Sequence, residues 1–144
     1  MEEPDADVIA FATRLFGLAR EGAADELAAY LDAGVDVNLA NQTGDTLLML
    51  AAYRGHAATV RALLERGADP DRANDRGQSP LAGAVFKAEP EVISALVAAG
   101  ADPDAGQPSA VATARMFERP DLLELLSDRS DPGDPGDPGA PGDG

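Results

Sequence analysis

Apolar residues recur along this chain in short clusters at helical spacing, divided by polar, turn-rich stretches of nearly constant length. Leu27, Tyr30 and Leu31 fall at i, i+3 and i+4, as do Val60, Leu63 and Leu64, and again Ile93, Leu96 and Val97. That spacing predicts one buried face on each of three short helices. A second set, Leu48, Ala51 and Ala52, echoed by Leu81 and Ala84, predicts a helix ahead of two of them. Thr46 and Ser79 stand where an N-cap hydroxyl is wanted, and Pro80 takes a first helical position, where its missing N–H costs nothing. Gly55-His56 breaks one helix from the next. Gly67 and Gly100 are placed to stop theirs in the left-handed conformation that glycine adopts cheaply. The Asp-Pro-Asp and Asn-Asp-Arg-Gly stretches that follow are turn formers.

The clusters keep a period. Gly34, Gly67 and Gly100 are 33 residues apart, as are Gly44 and Gly77, Leu48 and Leu81, and Ala51 and Ala84. The longest echo sets Leu63-Leu64-Glu65-Arg66-Gly67-Ala68-Asp69-Pro70-Asp71 against Leu96-Val97-Ala98-Ala99-Gly100-Ala101-Asp102-Pro103-Asp104. A fixed period of this length marks units that bury their apolar faces only by stacking on neighbours. Four units follow, at about 8–40, 41–73, 74–106 and 107–127, the last realigned by a shift of 30 that pairs Val111 with Leu81 and Leu123 with Ile93. The outer two read as caps.

The residues carrying the period resemble the ankyrin repeat. Its Gly-x-Thr-Pro-Leu-His opening is matched by Gly44-Asp45-Thr46-Leu47-Leu48-Met49 and Gly77-Gln78-Ser79-Pro80-Leu81-Ala82. Its Ala-Ala-x-x-Gly-His core is matched by Ala51-Ala52-Tyr53-Arg54-Gly55-His56, and its closing Gly-Ala-Asp-x-Asn by Gly67-Ala68-Asp69-Pro70-Asp71. Both full units lack the opening histidine. The third has Ala88-Glu89-Pro90 where Gly-His would stand, which leaves room for a different inter-helix turn. The resemblance covers residues 8–127. It implies an all-α solenoid of four helix-turn-helix units joined by short hairpin-like loops.

Composition refines this picture at the edges. Aromatics make up 4% of the chain and Trp and Cys are absent, so the core must be built from Ala, Leu and Val, and no disulfide or thiolate metal site can form. Residues 1–7 read as a flexible start. Residues 128–144 repeat Asp-Pro-Gly and read as a disordered acidic tail. The net charge of −15 repels phosphate backbones and argues against nucleic acid, while it would steer a basic protein partner towards the chain. No signal peptide or membrane span is visible, so a cytoplasmic location is the default. Ten of the eleven basic residues are Arg, which together with abundant Ala suggests a GC-rich, bacterial genome. Capped ends suggest a monomer.

Candidate chemistry is thin. His56, the lone histidine, matches the family's structural histidine and supplies neither a triad nor a metal cage. Asp69/Asp71 and Asp102/Asp104 resemble the start of a calcium loop, but no Glu closes twelve residues and a proline intervenes in each pair. No phosphate loop occurs, so no enzyme activity, cofactor or metal is expected. The resemblance instead implies a partner-binding concave face. Carried over position by position, it comprises Gln42, Thr43, Asp45, Tyr53 and Arg54 in the second unit, and Asp75, Arg76, Gln78, Phe86 and Lys87 in the third. Arg20 and Glu21 precede them, and Met116 and Phe117 follow. Tyr53, Phe86 and Met116 share one register and are expected to form a stripe, with Arg54 and Lys87 beside it. The expected function is protein–protein interaction through this groove and the loop tips. The alternative is an acidic inhibitor or nucleic-acid mimic of a basic enzyme.

Overall fold

The capping residues and breakers act where their chemistry allows. Thr46 Oγ1 accepts the Met49 N–H at 3.1 Å, and the hydroxyls of Ser79 and Ser109 accept the N–H groups of Ala82 and Ala112 in the same way, each opening a seven-residue helix. In the computed structural model, which describes residues 6–127, the elements are α1 (Ala6–Glu21), α2 (Ala24–Asp32), α3 (Leu47–Tyr53), α4 (Ala57–Glu65), α5 (Pro80–Phe86), α6 (Pro90–Ala98), α7 (Ala110–Met116) and α8 (Pro120–Ser127). Each odd helix pairs with the next even one. The odd helices then stack as one row and the even helices as a second. Among the described residues the only β pairing is two isolated bridges, Ala40 with Thr46 and Gly106 with Ser109, within the loops. No helix among them is long and apolar enough to cross a membrane.

The core lies between the rows. Leu27, Leu48, Val60, Leu63, Leu81, Ile93, Leu96 and Leu122 are all within 1% of full burial, and Ala51, Ala52, Ala84, Ala110 and Ala114 have no exposed surface at all. The alanines let neighbouring helices approach closely, and the leucines fill the space between them. Gly67 and Gly100 end α4 and α6 at φ +92°.

Two details differ from the sequence reading. First, α1 starts at Ala6, inside the segment expected to be flexible, with Asp7 favourably placed in its first turn. Gly17 sits inside α1 without ending it, so the helix runs for 16 residues up to Gly22, roughly 24 Å, against about 10 Å for a seven-residue helix. Its first turns therefore overhang the stack and leave Val8, Ile9 and Phe11 exposed. Second, the third inter-helix turn is not altered. Ala88 adopts φ +56°, the left-handed conformation Gly55 takes at +78°, and Glu89 N–H bonds Ala84 O as His56 N–H bonds Ala51 O. The stack imposes the turn on a residue that pays about 1 kcal/mol for it. The expected tail at 128–144 lies outside the described residues.

Polar links tie unit to unit. His56 Nε2–H donates to the Arg20 carbonyl at 2.7 Å, and its ring lies against Gly22 so closely that a Cβ there would meet Nδ1 at 2.6 Å. Arg66 Nε donates to Asp32 Oδ1 at 2.9 Å, and that bond holds the Asp32 carboxyl below its ordinary range. One buried group is left out: Thr59 Oγ1 has no hydrogen-bond partner among the described residues. The equivalent position one unit on is Val92, also buried. Thr59→Val is therefore expected to stabilise the fold by about 1 kcal/mol, read as a higher urea midpoint. An unchanged or lower midpoint would mean the hydroxyl is satisfied.

Candidate partner-binding groove

The loops that precede α3 and α5 are built around two asparagines. Asn41 Oδ1 accepts the N–H groups of Thr43 and Asp45, each at 3.0 Å, and Asn74 Oδ1 accepts those of Arg76 and Gln78 at 2.9 and 3.0 Å. Asn74, buried, also donates through Nδ2 to Asp45 Oδ1 and Gln78 Oε1. The Asp75 N–H donates to Thr43 O at 3.0 Å, and the Gln107 N–H to Gly77 O at 2.9 Å, so each loop rests on the one before. Neither asparagine was singled out by sequence. Their signal was the 33-residue spacing and the glycine three residues after each.

Between these loops and the row of odd helices runs a groove of about 370 Å³. Its floor is Met49, Leu50, Ala82, Gly83 and Thr113, and its walls include Arg20, Asp45, Tyr53, Arg54, Arg76, Gln78, Phe86 and Pro108. Gly83 deepens it. Leu50 and Thr113 hold the equivalent places on α3 and α7, whereas a Cβ on Gly83 would already be 3.1 Å from Met49 Cε and 3.5 Å from Tyr53 Cδ1.

The aromatic stripe has a different third member from the one expected. Tyr53 and Phe86 stack with centroids 6.4 Å apart and planes 11° from parallel. The ring continuing the row is Phe117, 5.5 Å from Phe86, and not Met116, which shares the register of Phe86 and is 61% exposed. The physical reason is shape: Phe117, at the C-cap of α7, brings a ring to Phe86 and gains an aromatic contact that a thioether end of the helix forgoes. Phe86 remains 54% exposed and Phe117 45%, so the row is presented to solvent and not folded into the core. Lys87 Nζ sits 5.1 Å from the Tyr53 centroid, which draws the ammonium over the stripe instead of beside it.

The remaining positions divide in two. Thr43, Asp45 and Gln78 are held in the loop network, with Thr43 Oγ1 donating to Asp45 Oδ2 at 2.7 Å. Gln42, Arg54, Asp75 and Arg76 are exposed, as is Glu21, while Arg20 is half-buried at the groove's end. The paired aspartates that resembled a calcium loop also have partners: Asp71 N–H bonds Asp69 Oδ1, Asp104 N–H bonds Asp102 Oδ1, and Asp102 N–H reaches Asp71 Oδ1 at 2.7 Å. They act as turn acceptors and as links between units. Among the described residues no cluster of three or more His, Asp or Glu side chains could hold a metal.

The family model described as ankyrin repeats (3 copies) matches residues 15–107. The chain is also 46% identical over 54 residues to a protein named as an ankyrin repeat protein in Pseudomonas aeruginosa. That match takes in 38% of this chain and 32% of the relative, about a third of its length.

Proposed function

Because this chain belongs to the ankyrin repeat family, whose repeats generally act as protein-interaction modules and not as enzymes, we propose that it grips a segment of another protein in the groove along α1, α3, α5 and α7. The loop tips Gln42, Asp75 and Arg76 form the rim. The observation that carries this reading is the row Tyr53–Phe86–Phe117. Four Phe and two Tyr are all the aromatics the sequence has, and three of these six rings meet in a row at the surface, one pair stacked and the other tilted. Beneath them Leu81 and Val85 already close the core. Exposed, pre-stacked rings bind at low entropic cost, because they are ordered before a partner arrives.

The test is site-specific photo-crosslinking in cells of the source organism. A photoreactive phenylalanine replacing Phe86 should trap a discrete protein partner, and one replacing Ser94, exposed on α6 in the other row, should not. Arg54→Glu combined with Phe86→Ala should weaken capture by about tenfold or more with the melting temperature little changed. Equal adducts from Ser94, or a large drop in melting temperature, would show that the rings are structural. The reading as an acidic inhibitor or nucleic-acid mimic makes the opposite forecast: capture indifferent to Phe86→Ala and lost steeply as salt is raised.

A further inference from the structure

The lining of the groove is richer in cations than the chain as a whole. The net charge is −15, yet the groove is lined by Arg20, Arg54 and Arg76 against the single carboxylate of Asp45. That carboxylate is already engaged, one oxygen accepting from Asn74 Nδ2 and the other from Thr43 Oγ1. Outside the groove, Arg14, Arg66 and Arg119 are paired with Glu26, Asp32 and Asp121, while Arg61, Arg72 and Arg115 form no ion pair among the described residues. Among the described residues none of the three groove arginines forms an ion pair. With 26 acidic residues for 11 basic ones in the chain, three guanidiniums to one carboxylate around an apolar floor reverse the chain's overall balance. Lys87, over Tyr53, adds a fourth cation at the same edge.

We infer that the groove takes an acidic, extended segment of another protein, which sets an apolar side chain on the Tyr53–Phe86 rings and carboxylates on Arg20, Arg54 and Arg76. This inference rests on the groove being the binding face and adds the chemistry of its occupant. The planar guanidinium fork matches a carboxylate with two parallel hydrogen bonds, and such bonds are stronger than neutral ones. Asp75 and Glu21 stand at the rim beside Arg76 and Arg20, exposed to solvent, and most of the chain's other carboxylates act at longer range. Beyond roughly 8 Å physiological salt screens them, so they slow the approach of an acidic segment without cancelling direct contacts. The basic partner suggested by net charge is thus not the occupant of the groove itself.

The experiment pans a phage-displayed library of random short peptides on the full chain, then measures the enriched peptides by fluorescence anisotropy. The expected pool carries Asp and Glu around an aromatic or aliphatic residue. Its members should lose about tenfold or more in affinity on Arg54→Glu/Arg76→Glu and on Phe86→Ala, and little on Arg61→Glu, which lies on α4 away from the groove. Basic peptides that are lost on Phe86→Ala but kept or tightened by Arg54→Glu/Arg76→Glu would overturn the acidic assignment while leaving the groove as the binding face. Peptides indifferent to Phe86→Ala, or no enrichment, would overturn both. A synthetic peptide of residues 128–144, acidic but without an aromatic or aliphatic anchor larger than alanine, should bind far more weakly than the selected peptides. Equal binding would assign the groove to the chain's own end and overturn the external partner.

Discussion

Leu81→Ala should lower the free energy of unfolding by about 3–5 kcal/mol, measured from urea or guanidinium transitions. Leu81 is 1% exposed and lies on α5, which packs against α3 on one side, α7 on the other and α6 behind. A helix held on three sides cannot settle into the space a lost isobutyl group leaves. The cavity term therefore adds to the transfer term, and the loss falls in the upper part of the range for such truncations. Position in the stack adds a second expectation. Each unit is stabilised chiefly by contacts with its neighbours, so weakening a central one uncouples both sides. Amide exchange should accelerate across α3 to α8 together, not in α5 alone. A loss below about 1 kcal/mol would mean the stack repacks around the gap, contrary to the close packing seen here.

Gly44→Ala should be the most damaging of the loop substitutions, at about 3 kcal/mol, and Gly77→Ala should cost about half of that. Both glycines sit in the left-handed region, at φ +80° and +79°, so both substitutions carry the same backbone penalty of about 1–2 kcal/mol. The surroundings separate them. A Cβ on Gly44 would lie 2.5 Å from Asp75 Oδ1 and 2.8 Å from the Asp75 backbone nitrogen, the donor that joins the next loop to this one. A flexible carboxylate can swing away, but the backbone nitrogen cannot move without breaking its bond to Thr43 O. On Gly77 the nearest atom would be Gln107 Cβ at 3.8 Å, an ordinary contact, because the three residues missing from the next loop leave the space open. Urea midpoints of the two variants should differ clearly. Equal midpoints would show that inter-loop stacking contributes nothing beyond glycine's conformational freedom.

Much of this architecture was legible before any coordinates. The 33-residue spacing of Gly34, Gly67 and Gly100, the caps at Thr46 and Ser79, and the i, i+3, i+4 clusters named the helices, their stops and the core leucines. These are local facts, governed by hydrogen-bond geometry within a few residues, and a repeat states them more than once. The same spacing lined up Tyr53 and Phe86 across neighbouring units. At the fourth unit it nominated Met116 for the stripe and placed Phe117 beside it. Register fixes which Cα positions align but not which side chain reaches across, and Phe117, one residue on, makes the ring contact.

The sequence by itself determined the units, their order and the residues that face inward, because helix periodicity and turn chemistry act along the chain. Only the tertiary structure decided what happens between units. It forced Ala88 into a glycine conformation, emptied the groove floor at Gly83, engaged Asp45 through Asn74, and left Arg20, Arg54 and Arg76 without ion-pair partners among the described residues. Those outcomes depend on distances between residues about thirty positions apart, which one-dimensional spacing does not encode. Net charge summed over the chain pointed to a basic partner. The lining of the groove instead holds three arginines to one aspartate, and short-range pairing depends on which charges are adjacent and not on their total.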